Sequence, residues 1–329
     1  MKIAVVGATG LVGREMLRVL DERGFGTEEV IAAASAKSVG STLDFAGRQL
    51  TVVSVDAAIA ARPDYALFSA GAEVSRQYAP LFAAVGTTVV DNSSAWRKDP
   101  EVPLVVPEVN IGAVRPEDRI IANPNCSTIQ MVLALSALER EYGLRRLVIA
   151  TYQSITGTGI RAVRQLESEE RGETPAEPAY PNPIHRNLFP HGGDFQPDGY
   201  TTEEQKLIDE TRKIYADPEI AITATVVRVP VVGGHSEAVN VELRRDYDLE
   251  EVRRLIGSTP GVILYDEPAQ NRYPMPILSH HRDEVWVGRV RRDPSQPRSL
   301  NLWIVADNIR KGAATNAVQI MEHLCGRTK

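Results

Sequence analysis

The feature that most constrains this chain is a glycine turn reached at residue 7, directly after a buried-strand pattern. Lys2-Ile3-Ala4-Val5-Val6 runs straight into Gly7-Ala8-Thr9-Gly10-Leu11-Val12-Gly13. Val12, Met16, Val19 and Leu20 then share one helical face, and Gly24 is placed to stop that helix. Strand, glycine turn and amphipathic helix open a βαβ unit, in which glycines let the backbone approach a pyrophosphate at the positive end of the helix. The spacing alone is a weak signal, because a tight βα turn needs no ligand. Its place between strand and helix strengthens it. Gly7, Thr9, Gly10, Leu11 and Val12 are therefore the candidate nucleotide contacts.

Further apolar runs at residues 30–35, 65–70 and 87–91 alternate with helical patterns such as 74–84, as in a parallel sheet with crossovers. After Ala122-Asn123-Pro124-Asn125-Cys126, apolar residues return at helical spacing with Ile129, Val132 and Leu133. From Arg145 the texture changes. Runs at 146–154, 220–229 and 237–245 are rich in β-branched residues, and Leu300, Leu302 and Ile304 alternate like a half-buried antiparallel strand. The fold class read from this is α/β: an N-terminal Rossmann-like dinucleotide-binding domain plus a C-terminal α+β domain with a mainly antiparallel sheet. A helix expected over 310–325 returns to the first domain, so the domains are drawn as 1–125 with 310–329, and 126–309. The proline-dense stretch 172–200 lies inside the second domain and is expected to be an ordered loop at a subunit contact.

Composition excludes several classes of function. Thirty-seven basic against 43 acidic residues give a net charge of −6, and no run of like charge reaches five residues, so nucleic acid and anionic membranes are poor partners. No segment approaches the ~20 apolar residues of a membrane span, and the N-terminus has no signal-peptide pattern. Two cysteines, Cys126 and Cys325, build neither a disulfide framework nor a structural zinc site, and no metal is expected. A reducing cytoplasm is the expected compartment.

Cys126 is the most informative residue. Asn125 can cap the following helix, leaving the sulfur beside free N–H groups and the positive dipole end. A free thiol titrates near ~8.5, so a downward shift of about one to two units makes the thiolate a major species. The alternative is a buried, inert cysteine. His235, in Val232-Gly233-Gly234-His235-Ser236, follows a glycine pair from which a side chain can reach a cleft; it suits proton transfer to a thiolate's substrate, or else it is a hydrogen-bonded structural histidine. Arg97, Lys206 and Arg228 are candidate anion ligands. Glu203 and Lys206 share a helix face that Thr201 or Thr202 could cap, a pattern that equally describes a surface ion pair. After the second strand, Ser35-Ala36-Lys37-Ser38 sets a cation between hydroxyls, and no acid occurs between Val30 and Leu43. That suits the 2′-phosphate of NADP over the ribose hydroxyls of NAD.

Taken in order, the glycine turn, Ala70-Gly71, Asn123-Pro124-Asn125-Cys126-Ser127-Thr128, Tyr152-Gln153, Arg228…His235-Ser236 and Gly312-Ala313-Ala314-Thr315-Asn316-Ala317 resemble the bacterial aspartate-semialdehyde dehydrogenases, essentially end to end. The resemblance implies NADPH-dependent reductive dephosphorylation of L-aspartyl-4-phosphate to L-aspartate-4-semialdehyde, with phosphate as co-substrate of the reverse reaction and a cysteine thioester between, on the branch to lysine, threonine and methionine. It implies Cys126 as nucleophile, His235 as acid–base and Gln153 as the residue that orients the intermediate. Arg228 and Glu203 then take the substrate's carboxylate and amino group, with Glu204 a neighbour not separable from Glu203 by sequence; Asn125 belongs to the same substrate site. Arg97 and Lys206 take the phosphate. Ser35, Lys37 and Ser38 hold the 2′-phosphate, while Ala70, Gly71, Gly157 and Asn316 contact the cofactor. A homodimer built through the second, catalytic domain is also implied. The chain departs from the family at Lys37, where arginine is common, and at Thr156, where serine is usual. Rival readings are an N-acetylglutamyl-phosphate reductase of the same architecture and a catalytically silent paralogue that serves as a binding protein.

Overall fold

A computed structural model describes residues 1–327. In chain order the first elements are β1 (Lys2–Val6), α1 (Leu11–Leu20), β2 (Glu29–Ala33), β3 (Thr42–Phe45), β4 (Arg48–Thr51) and α2 (Val55–Ala60). They are followed by β5 (Tyr65–Phe68), α3 (Ala72–Ala84), β6 (Thr88–Asp91), α4 (Pro107–Asn110) and β7 (Ile120–Ala122). The long α5 (Cys126–Tyr142) leads to β8 (Leu144–Ser154), α6 (Ile160–Glu170), α7 (Thr202–Tyr215), β9 (Ala221–Val229) and β10 (His235–Leu243). Next come α8 (Leu249–Gly257), β11 (Val262–Leu264), α9 (Pro276–Ser279), β12 (Val285–Arg292) and β13 (Ser299–Ala306), and α10 (Thr315–Leu324) closes the chain. Two compact units result: Met1–Asn125 with Ala313–Lys329, and Cys126–Gly312. The last two residues of the segment expected to return to the first domain lie outside the described residues.

The first unit is built on a parallel sheet of order β2-β1-β5-β6-β7. Side chains alternate across a strand. Ile3 and Val5 of β1 accordingly enter one apolar cluster with Met16, Leu20 and Ile320, while Ala4 and Val6 enter another with Phe68, Ala79 and Phe82. Helices thus cover both faces, as a parallel sheet requires. The sheet order reverses at β1, between β2 and β5, and ligands bind α/β sheets at such a switch point, beyond the carboxyl ends of the strands. The 7–13 turn leaves β1 at that point.

The second unit carries a six-stranded mixed sheet, β11-β12-β13-β10-β8-β9. Three pairings are antiparallel and two, β8 with β9 and β11 with β12, are parallel. Helix α5 lies across β8, β10, β12 and β13, and its residues 127–138 are all buried. A helix apolar on every side belongs in a core.

Several boundaries differ from the sequence expectation. The helix expected over 310–325 opens with a π-helical turn, Arg310–Ala314, before α10. The hairpin of β3 and β4 and the strand β12 had no clear period in the sequence. The 172–200 stretch forms no helix or long strand, but its backbone is pinned at Phe189, whose N–H and C=O pair with those of Arg228. Among the described residues no helix is long and apolar enough to cross a membrane.

Thr201 caps α7 in a reciprocal box: its hydroxyl accepts from the Glu204 N–H, and the Glu204 carboxylate accepts from the Thr201 N–H. Replacing Thr201 with Ala should lower unfolding stability by about 1 kcal/mol (range ~0.5–2). A urea midpoint unchanged from wild type would show the box to be dispensable.

Candidate active site

Within the second unit, hydrogen bonds connect the start of α5 to β8 and β10. Gln153 pairs with Arg228 across β8 and β9, and Tyr152 with Ser236 across β8 and β10, so these residues share one end of the sheet. The Gln153 amide donates to the Ser127 hydroxyl at 2.9 Å, which ties β8 to the residue next to Cys126. Cys126 is the first residue of α5, half-buried and not in a disulfide. Gly312 packs on it: a Cβ at Gly312 would lie 2.9 Å from the Cys126 Cβ.

His235 is fully buried. Its Nδ1 accepts the Ser154 backbone N–H at 2.9 Å. An amide nitrogen can only donate, so Nδ1 is bare and the proton of the neutral ring sits on Nε2. Nε2 has no partner among the described residues. Burial first, and then the nearby Arg228 guanidinium, hold the His235 pKa well below the usual histidine range. The ring is therefore neutral at pH 7. Because the unfolded chain takes up that proton first, His235 subtracts stability as pH falls below about 6.5.

Arg228 is buried, and its Nη1 donates to the Ser154 carbonyl at 2.8 Å. Gly157 stands against both groups; a Cβ there would come within 3.1 Å of the Arg228 Nη1 and 3.2 Å of the His235 Nε2. The expected Glu203–Lys206 pair is an ion pair on α7, with both side chains mostly covered rather than solvated. Glu204 is otherwise committed: one oxygen accepts from Thr201 and the other from the Val226 N–H at 2.9 Å. Glu203, by contrast, is held by a side chain, the Lys206 ammonium. Gly192 in the 172–200 stretch packs on Glu203, where a Cβ would approach its Cγ to 3.2 Å.

The first unit presents a cleft of about 760 Å³, lined by Gly7, Thr9, Gly10, Ser35, Ala36 and Ala70, among others. The glycines are required. A Cβ on Gly7, at φ +86°, would lie 2.3 Å from the Ser69 carbonyl oxygen, and one on Gly13 would lie 2.1 Å from the Gly7 oxygen. Helix α1, which Leu11 and Val12 open, has no side-chain cap and no acid in its first turn. These features fit a dinucleotide pyrophosphate at a helix N-terminus. Ser38 Oγ lies 3.4 Å from Thr9 Oγ1, so the loop carrying Ser35 and exposed Lys37 is joined to the glycine turn. Gly71, at φ +88°, precedes α3.

Elsewhere in this unit, the buried Arg97 donates to the Asn92 carbonyl at 2.8 Å, and Asn125 is buried at the end of its turn. Asn316 is buried too, and its Nδ2 donates to Asn123 Oδ1 at 2.7 Å and to the Val105 carbonyl at 2.9 Å. Asn123 in turn donates to Asn92 Oδ1 at 2.7 Å. The structure thus makes Asn316 a brace for the turn before Cys126, a role that its resemblance-based assignment to the cofactor did not include. Sequence reading also passed over His280. Its ring packs on Gly233, two residues before His235, and its Nδ1 meets the buried Asp307 carboxylate at 3.1 Å.

Two family models match the chain: the semialdehyde dehydrogenase NAD binding domain over residues 2–116, and the semialdehyde dehydrogenase dimerisation domain over 135–311. The aspartate-semialdehyde dehydrogenase of Aquifex aeolicus is 48% identical, covering 98% of this chain and 97% of the relative. That of Bacillus subtilis is 42% identical over 98% and 97%. A crystal structure of aspartate semialdehyde dehydrogenase II from Vibrio cholerae, complexed with ASA, superposes with a TM-score of 0.94 at 42% identity, covering 100% of this chain and 99% of that one.

Gly312→Ala should push the Cys126 Cβ aside and lower kcat by about 10–100-fold, since small misplacements of a reacting group cost that much. Retained kcat in a folded variant would show that α5 absorbs the added methyl.

Proposed function

The chain belongs to the aspartate-semialdehyde dehydrogenase family, and from its thiol, its histidine and its glycine cleft we infer how it reduces L-aspartyl-4-phosphate to L-aspartate-4-semialdehyde. The product feeds lysine, threonine and methionine synthesis. The observation that carries the residue assignment is the hydrogen-bonded run from Ser127 through Gln153 and Ser154 to His235, which fixes an acyl-transfer end on one sheet.

The Cys126 sulfur attacks the C4 carbonyl of the acyl phosphate, the carbon–oxygen bond to phosphate breaks, and a thioester remains on Cys126. NADPH held at Gly7, Thr9, Gly10 and Ala70 would supply the hydride that reduces that carbonyl carbon. His235 donates a hydrogen bond from Nε2 to the carbonyl oxygen while it carries negative charge, the kind of fixed donor that acts most strongly in a dry site. The carbon–sulfur bond then breaks, returning the thiolate and releasing aldehyde. With Nδ1 occupied by the Ser154 N–H, the Nε2 proton is the one that His235 brings to its acid–base role. Gln153 orients the acyl group from beside Ser127. Arg228 pairs with the substrate carboxylate and Glu203 with its amino group. Lys206, like Arg97, meets phosphate, and Asn125 belongs to the substrate site. Gly7, Thr9, Gly10, Leu11, Val12, Ala70 and Gly71 receive NADP(H); Ser35, Lys37 and Ser38 hold its 2′-phosphate, and Gly157 and Asn316 complete the cofactor contacts.

Met1–Asn125 with Ala313–Lys329 make up the NADP-binding domain, and Cys126–Gly312, three residues longer than the expected 126–309, the catalytic and dimerisation domain of a cytoplasmic homodimer. The dimerisation-domain match over 135–311 supports that assembly.

Purified protein with aspartate semialdehyde should reduce NADP⁺ only when phosphate is present, read at the NADPH absorbance. Reduction that ignores phosphate would overturn the acyl-phosphate reading. Cys126→Ala should abolish this turnover while leaving NADP⁺ affinity unchanged, and substantial residual activity would sink the thioester.

A further inference from the structure

Beneath the acyl-transfer end lies a layer of buried polar groups that the mechanism above does not use. His235 and Glu237 point to the same face of β10, two residues apart. Glu237 is fully buried, and neither carboxyl oxygen has a hydrogen-bond partner among the described residues. Its neighbour across β8 is Thr151, and across β13 it is Ile304. Neither carries charge. Gln130 of α5, one helical turn after Cys126, is also fully buried. Its Nε2 lies 3.4 Å from the His235 carbonyl oxygen, while its Oε1 and the Thr151 hydroxyl lack partners.

A carboxylate cannot stay charged in such a place without a cation. Burial drives the Glu237 pKa well above the usual carboxylate range, the Gln130 side chain beside it opposes that shift, and no charged side chain contributes. A neutral acid resolves the chemistry of the layer. With the Gln130 NH₂ turned to the His235 carbonyl, its Oε1 needs a donor, and a protonated carboxyl has one to offer where a carboxylate has none. His235, the titratable group on the same strand face, is itself neutral and adds no field.

We propose that Glu237 is a positioning residue, held as a neutral acid that donates to Gln130, so that Glu237 and Gln130 together clamp the helix that begins with Cys126 to the strand that begins with His235. This rests on the reading of Cys126 and His235 given above. Ionisation of Glu237 removes the donor, leaves a carboxylate facing the Gln130 oxygen, and loosens the clamp. The stability that the protonated clamp contributes is fully present below the unfolded-chain carboxylate value of about 4.3. It is lost progressively as pH rises from there through the folded-state value, because over that interval the unfolded chain has already released the proton that folded Glu237 keeps.

The test compares wild type with Glu237→Gln, which keeps a donor but cannot ionise, and with Glu237→Ala, which removes it. Infrared difference spectra of wild type minus Glu237→Gln should show a carboxylic-acid C=O band at neutral pH. Across the pH range where that band vanishes on raising pH, kcat of wild type should fall while kcat of Glu237→Gln holds. Glu237→Ala should lower kcat about 10–100-fold with little change in KM. The alkylation rate of Cys126 by iodoacetamide needs no substrate, and its curves against pH should diverge between wild type and Glu237→Gln over the same interval. A carboxylate band at neutral pH, or alkylation curves that superimpose throughout, would overturn the proposal. Absence of phosphate-dependent turnover in wild type would overturn the activity reading instead, and the infrared and alkylation results would still decide the state and effect of Glu237.

Discussion

Helix α5 is buried over residues 127–138 and lies across four strands of the mixed sheet, so the position of its first residue is set by packing along the whole helix. Each buried Leu or Ile in that stretch contributes on the order of 1.5–3 kcal/mol, and sliding the helix would disrupt many such contacts together. That packing holds Cys126 at a fixed height above the sheet. The strand side is equally constrained. Ser154 carries both the N–H that holds the His235 ring and the carbonyl that holds Arg228, so one residue of β8 places a neutral donor and a cation side by side.

Much of this was legible in the sequence because it is local. The 7–13 turn, the helix after Cys126 and the β-branched runs each declare themselves by period, and β1, α5, β8 and β9 fall within a few residues of the expected bounds. What could not be read depends on partners remote in sequence. Glu203 and Glu204 look alike as a pair; only the capping box and the Val226 N–H show that Glu204 is consumed by backbone. Asn316 and Asn123 are 193 positions apart, and nothing near either one announces their bond. Glu237 sits in an apolar strand pattern where a surface-facing acid would be the ordinary expectation. Its burial depends on α5 covering that face.

The two polar features of the second unit differ in kind. The His235–Ser154 contact is satisfied at Nδ1 and open at Nε2, the donor left to act on an arriving oxygen. The Glu237–Gln130–Thr151 layer has unmet groups on every member and no path to a charged partner. In a medium of low dielectric such a layer is tolerable only when each member is neutral. The same burial pushes the two titrations apart, His235 downward and Glu237 upward. Both shifts favour the uncharged form, and Arg228 is the charged neighbour of His235.

The nucleotide side follows a different logic, because selectivity there comes from a loop rather than from a core. Strand β2 ends at Ala33 and is followed by Ala34, where an acid would be needed to hold two ribose hydroxyls. The next residues turn outward, and exposed Lys37 offers a charge that ribose hydroxyls cannot use but a phosphate can. Lysine lacks the rigid fork of arginine, so less of the recognition is fixed by the cation's own geometry. On the proposed assignment, the hydroxyls of Ser35 and Ser38 would then define the phosphate position. The contact of Ser38 with Thr9 makes that definition depend on the same glycine turn that receives the pyrophosphate. On the assignment proposed above, preference for NADP would be a property of the joined loop and turn, with Lys37 acting within it as a point charge.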